Sequence, residues 1–76
     1  MTINDVDNFI DQVGVISISI AEASQILTED VEMTELNSGE RAIDNEEDIS
    51  ERVLEQLRDA RQKIDELITE IESKSA

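Results

Sequence analysis

The sequence predicts an all-α fold: an antiparallel helical hairpin, or coiled coil, that dimerises into a four-helix bundle. Apolar residues recur at alternating three- and four-residue spacings in both halves of the 76-residue chain, as in helices that pack along one seam. A polar segment containing a glycine separates the halves. Cysteine and histidine are absent, so self-association is the remaining way to stabilise so small a core.

The C-terminal half carries the clearest helical pattern, and we predict a helix over about residues 46–73. Acids four residues ahead of bases, such as Asp59 and Lys63, support this helix. Asp44 or Asn45 is the expected N-cap, ahead of acids that complement the helix dipole. The predicted seam consists of Val53, Leu57, Ala60, Ile64, Leu67 and Ile71.

The N-terminal half is predicted to form a helix over about residues 3–36, kinked near Gly14. Thr2, with Asp5 three residues on, matches a capping box. A strand is the alternative over residues 13–20, where isoleucine and serine alternate and where Gly14 and β-branched residues lower helix propensity. The helical pattern spans many more residues than the strand pattern does. The predicted seam consists of Val6, Phe9, Val13, Ile16, Ile20, Ala23 and Leu27.

Residues 37–45 are the predicted acidic turn, so residues 1–76 are expected to form one small helical domain. Gly39 is expected to adopt the left-handed conformation that ends a helix. Val15 and Ile18 fall on the side of the first helix away from its seam. One hairpin cannot cover both sides, so these two residues are expected to contact another copy of the chain or a different protein.

No feature of the sequence predicts an enzyme, a metal site or a cofactor. Histidine, cysteine and a Gly-rich phosphate loop are absent, and the carboxylates fall at solvated helix positions rather than in a pocket. The segment from Asp44 to Glu55 has acids at positions 1, 3, 5 and 12, as an EF-hand loop does. Its sixth residue is Ile49, where that loop requires glycine, so a capped helix start is the better interpretation.

The negative charge is large and concentrated. Twenty acids and six bases give a net charge of −14, which disfavours nucleic acid and anionic membranes as partners and favours a protein with a basic surface. Between residues 29 and 51 only Arg41 opposes ten acids, for a local charge of −9. This acidic cluster is either a solvated loop or a partner-binding surface. Its members are Glu29, Asp30, Glu32, Glu35, Glu40, Asp44, Glu46, Glu47, Asp48 and Glu51.

In size, acidity and lack of catalytic residues, the chain resembles the small acidic DNA-mimic and anti-defence proteins of bacteriophages, including anti-restriction and anti-CRISPR proteins. The resemblance implies an inhibitor whose acidic cluster blocks a basic, nucleic-acid-binding surface of a target protein. The alternative is a structural adaptor or assembly chaperone that acts through coiled-coil contacts. Apolar residues expected to contact a partner or a second copy are Val13, Val15, Ile16, Ile18, Ile20, Leu57, Ile64, Leu67 and Ile71.

The sequence also predicts a cytoplasmic location. The apolar run that begins at Val13 follows acidic residues, whereas a signal peptide has a basic segment before its apolar one. The run is also too short to cross a bilayer.

Overall fold

The computed structural model, which describes residues 1–75, consists of two long helices joined by a β-hairpin. The elements are α1 (Ile3–Glu29), β1 (Met33–Glu35), β2 (Arg41–Ile43) and α2 (Glu46–Ser75). The helices lie side by side and antiparallel, in a molecule with extents of 62 × 16 × 15 Å. The predicted helical hairpin is confirmed, with a pair of strands added at its closed end.

Both ends of α1 follow from identifiable contacts. Thr2 Oγ1 accepts a hydrogen bond from the N–H of Asp5, and the Asp5 carboxylate accepts one from the N–H of Thr2, as the predicted capping box requires. The helix continues unbroken through Gly14, so the strand alternative for this region is wrong. It ends at Glu29, and the predicted extension to residue 36 is also wrong because the chain beyond Asp30 enters β1.

A β-hairpin takes the place of the predicted simple turn. β1 pairs antiparallel with β2, with Thr34 opposite Ala42. The strands are joined by a tight turn in which the N–H of Gly39 donates to the carbonyl of Leu36 at 2.9 Å. Gly39 has a φ of +84°, which glycine adopts without a Cβ clash. The predicted left-handed conformation is present, but it closes a β-turn instead of ending a helix.

Asn45 ties the β-hairpin to both helices. Its carbonyl accepts a hydrogen bond from the N–H of Ile49, so Asn45 occupies the N-cap position of α2. Its side-chain amide donates to the carbonyl of Asp30 at 2.8 Å and accepts from the N–H of Glu32 at 3.0 Å. These bonds satisfy backbone groups where α1 ends, and they fix the hairpin at the end of the helix pair.

The interhelical seam agrees with the predicted one only at every second position. In α1 the buried and half-buried seam residues are Asp5, Phe9, Gln12, Ile16, Ser19, Ala23 and Ile26. In α2 they are Ile49, Val53, Gln56, Ala60, Lys63, Leu67 and Glu70. Six predicted seam residues are exposed, and each directly follows, in the sequence, a position that belongs to the observed seam. They are Val6, Val13, Ile20, Leu27, Leu57 and Ile64. Adjacent stripes of a helix share the same seven-residue spacing, so spacing alone did not distinguish them.

The core of the single hairpin is thin. Phe9, Ile16, Ala60 and Leu67 form a buried cluster, with Ile71 packed against its edge. Across residues 1–75, no side chain is completely removed from solvent. A chain of this size with so little buried surface is expected to be marginally stable alone.

Candidate interaction surfaces

Two flanks of different character lie on either side of the seam, and both antiparallel helices contribute to each flank. We call the side on which Asp59 of α2 reaches Ser19 of α1 the polar flank. Half of its sixteen positions are charged. In α1 they are Asn4, Asn8, Asp11, Val15, Ile18, Glu22, Gln25 and Glu29. In α2 they are Asp48, Arg52, Glu55, Asp59, Gln62, Glu66, Thr69 and Ser73.

Side-chain hydrogen bonds connect the helices along the polar flank. Ser19 Oγ donates to Asp59 Oδ2 at 2.9 Å. Towards the open end of the hairpin, Gln12 Nε2 and Asn8 Nδ2 donate to the two carboxylate oxygens of Glu70 at 3.0 and 3.2 Å. These bonds satisfy polar groups beside the seam and set the antiparallel register of the helices.

The pKa of Asp59 is lowered from its ordinary value of 3.8, first by the hydrogen bond from Lys63 Nζ and next by that from Ser19. The pKa of Asp59 is lower in the folded state than in the unfolded state. These contacts therefore stabilise the fold at a pH above the unfolded pKa, and this stabilisation is lost as the pH falls through the folded pKa. We expect Asp59 to titrate below 3.8 by NMR and Lys63→Met to move its midpoint upward. An Asp59 midpoint unaffected by Lys63→Met would contradict this assignment.

The other side of the seam, which we call the apolar flank, is almost free of charge. Arg61 is the single charged residue among its sixteen positions, in a chain that is 34% charged. Four positions are serine, and the other eleven are aliphatic. The aliphatic residues are Ile3, Val6, Ile10, Val13, Ile20, Leu27, Leu54, Leu57, Ile64, Ile68 and Ile71. All of them except Ile71 are at least 38% exposed, so the flank is a continuous uncovered surface.

The predicted apolar contact residues therefore fall into three groups. Ile16 and Leu67 belong to the core, with Ile71 at its edge. Val15 and Ile18 are exposed on the polar flank, on the side away from the predicted seam. The remaining four lie on the apolar flank: Val13, Ile20, Leu57 and Ile64.

Sequence reasoning missed part of the apolar flank. The prediction did not include Ile3 and Ile10, which belong to this flank and are both more than 60% exposed. The signal was the seven-residue spacing of Ile3 and Ile10, which runs beside the seven-residue series that begins at Val6 and Val13. Two parallel apolar series on one helix indicate a stripe wider than a single seam can cover.

The predicted acidic cluster lies at the closed end of the molecule, which we call the acidic end. Its residues belong to the last turn of α1, the β-hairpin with its connections, and the first six residues of α2. Arg52 pairs with Asp30 at 2.6 Å and with Asp48 at 3.7 Å, and the hydrogen bond that it donates to Asp30 is the main reason that the pKa of Arg52 is raised. With Arg52 counted, this end still carries −8.

The acidic end is not arranged as a metal site in the described part of the chain. Within residues 1–75, no three acidic side chains converge closely enough to hold an ion. The EF-hand-like segment is helical from Glu46 onward and so does not form a loop.

Comparisons with models of protein families, with curated proteins and with solved structures found no match. The fold and surfaces define the class: an acidic two-helix hairpin with one apolar flank and a β-hairpin at its charged end. In the part described, residues 1–75, neither helix has both the length and the apolar character needed to cross a membrane.

Proposed function

We propose that this chain is a non-enzymatic inhibitory binder whose acidic end occupies a basic, nucleic-acid-binding surface of a target protein. The functional class is that of the phage anti-defence and DNA-mimic proteins. The observation that carries the proposal is the −9 charge of residues 29–51, carried at one end of a 62 Å rod. A charge density of this kind attracts cationic surfaces and speeds encounter with them.

The position of these acids supports a binding role. The β-hairpin holds several of them beyond the helix pair, on backbone fixed by Asn45. The ion pairs of Arg52 involve Asp30 and Asp48, which leaves most of the cluster's charge available to an external cation. An acidic surface held on ordered backbone loses less entropy on binding than a disordered acidic tail does.

The proposal predicts a steep dependence on salt and on the charges of the acidic end. In the variant Glu46→Gln, Glu47→Gln, Asp48→Asn, we expect target affinity to fall at least tenfold, because the acidic end loses three of its negative charges. The measurement is affinity capture from a candidate host lysate at low and high salt. Captured proteins are then tested for nucleic-acid binding in competition with the chain.

The matched control removes the same number of charges, from two glutamates and one aspartate in the body of α2, in the variant Glu55→Gln, Asp65→Asn, Glu72→Gln. It is expected to retain most of the affinity. Because first-turn acids also interact with the helix dipole, circular dichroism must show equal helicity for the two variants. Capture that persists at high salt, or that is lost equally in both variants, would contradict the proposed role of the acidic end.

The apolar flank favours a second candidate, a structural or assembly adaptor that binds a partner's helix through coiled-coil contacts. Binding would then depend on residues such as Leu57 and Ile64, which are 45% and 38% exposed, and would tolerate loss of the terminal charges. The same captures carried out with Leu57→Ser and with the acidic variant distinguish the two functions.

We also propose that the working form is a homodimer in which two hairpins make a four-helix bundle. The single chain exposes 5851 Å², whereas a compact monomer of 8.5 kDa exposes about 4,700 Å². The excess is above the roughly 800 Å² that each partner buries in a standard interface. Two apolar flanks in contact would remove that excess and complete the core.

A further inference from the structure

We infer that a second copy of the chain covers the apolar flank with its hairpin pointing in the opposite direction, so that the two acidic ends lie at opposite ends of the bundle. The inference rests on the proposed homodimer and adds its interface and its orientation. Its grounds are the extent of the apolar flank, the surface it leaves exposed, and the uneven distribution of charge along the hairpin.

The apolar flank extends along the whole helix pair. The Asn8–Glu70 and Ser19–Asp59 bonds fix which residues of α1 and α2 lie at the same level. Ile3 is therefore at the open end of the hairpin, and Leu27 is next to the acidic end. An occupant that covers this surface needs an apolar face of the same length with almost no charge, which a second copy of the chain supplies.

Two copies can align along this length in only two directions, and charge distinguishes them. Residues 29–51 carry −9, whereas the other 53 residues carry ten acids and five bases, for −5 spread over most of the molecule. Parallel hairpins would place two −9 ends side by side. Opposed hairpins would separate them by about the 62 Å length of the molecule, many times the roughly 8 Å Debye length at physiological salt.

The opposed arrangement has a consequence for binding. Each acidic end is then free of the other and extends from its own end of the rod. One dimer presents two equivalent surfaces and can engage two basic sites at once, with the gain in avidity that a suitable spacing allows.

The test uses the absence of native cysteine, which lets a single introduced thiol carry a spin label without side reactions. Ser38→Cys places a label in the tight turn at the acidic end, and Ser73→Cys places one on the polar flank at the open end. Pulsed dipolar spectroscopy on Ser38→Cys alone, and on an equimolar mixture with Ser73→Cys, measures distances between chains.

For opposed hairpins, we expect a distance of about 60 Å between the two Ser38→Cys labels, close to the molecular length. The mixed sample is then expected to add a much shorter distance that the Ser38→Cys sample lacks. A short distance in the Ser38→Cys sample alone would overturn the orientation and leave the dimer intact. A sample with no dipolar contact between chains at any concentration would overturn the dimer as well. In that case, capture by the acidic end tests the proposed inhibitor separately.

Discussion

Replacing Ile20 with serine is expected to weaken self-association by one to two orders of magnitude. Ile20 is 48% exposed in the single hairpin and lies in the middle of the apolar flank. Fully burying an isoleucine side chain contributes about 1.5–3 kcal/mol, so the half of Ile20 that is still exposed accounts for about 0.7–1.5 kcal/mol, and a symmetric dimer loses that contribution twice. The combined loss of about 1.5–3 kcal/mol corresponds to a dissociation constant raised roughly 10- to 10²-fold. Sedimentation equilibrium on both proteins measures the change.

Ile18→Ser is the matched control for this experiment. Ile18 is the same residue type, lies two positions away in the same helix, and is 60% exposed, but it is on the polar flank. Isoleucine and serine have similar helix propensities, so neither substitution should change α1 through its backbone. We expect Ile18→Ser to leave the dissociation constant within about threefold of the original. An equal effect of the two substitutions would show that the apolar flank is not the interface.

Truncating Phe9 to alanine is expected to have the largest effect on stability. Phe9 is the chain's one aromatic residue, is 8% exposed, and packs with Ile16, Ala60 and Leu67. Such truncations cost about 3–5 kcal/mol through lost burial and the cavity left behind. That is a large part of the roughly 4–11 kcal/mol expected for a domain of this length. We expect thermal melts followed by circular dichroism to show a melting temperature lowered by about 12–40 °C.

The control for Phe9→Ala is Ile18→Ala, which removes an exposed aliphatic side chain from the same helix. Exposed substitutions of this kind change the free energy of unfolding by about 0.5 kcal/mol or less. If Phe9→Ala melts at the same temperature as Ile18→Ala, Phe9 does not lie in the seam between the helices.

The sequence predicted the helices better than it predicted their contact. Seven-residue apolar repeats are long-range signals, so α2 begins at the predicted residue, Glu46, and the box formed by Thr2 and Asp5 starts α1 as expected. The seam, however, includes polar residues such as Ser19, whose hydroxyl is bonded to Asp59 across the interface. A pattern of apolar spacing assigns such a position to the surface, because the partner that satisfies it is remote in sequence.

The β-hairpin was missed for a related reason. Its strands have three residues each and show no sustained alternation of polar and apolar residues. The turn formed by Leu36 and Gly39, and the side-chain bonds of Asn45 to backbone across the connection, give this segment its shape. Asn, Ser and Gly in succession at residues 37–39 were a turn signal, but a helix end uses the same residues. The clustering of the acids at one end was predicted correctly all the same, because a simple turn and a β-hairpin both place residues 29–51 at the closed end of the helix pair.

Light scattering across a dilution series of the unmodified protein, with circular dichroism on the same samples, tests most directly whether this chain folds by associating with a second copy. We expect a mass of twice 8.5 kDa at micromolar concentrations, and loss of helicity in step with dissociation as the protein is diluted. A mass of 8.5 kDa with full, concentration-independent helicity would show that the single hairpin is sufficient and would contradict the proposed dimer.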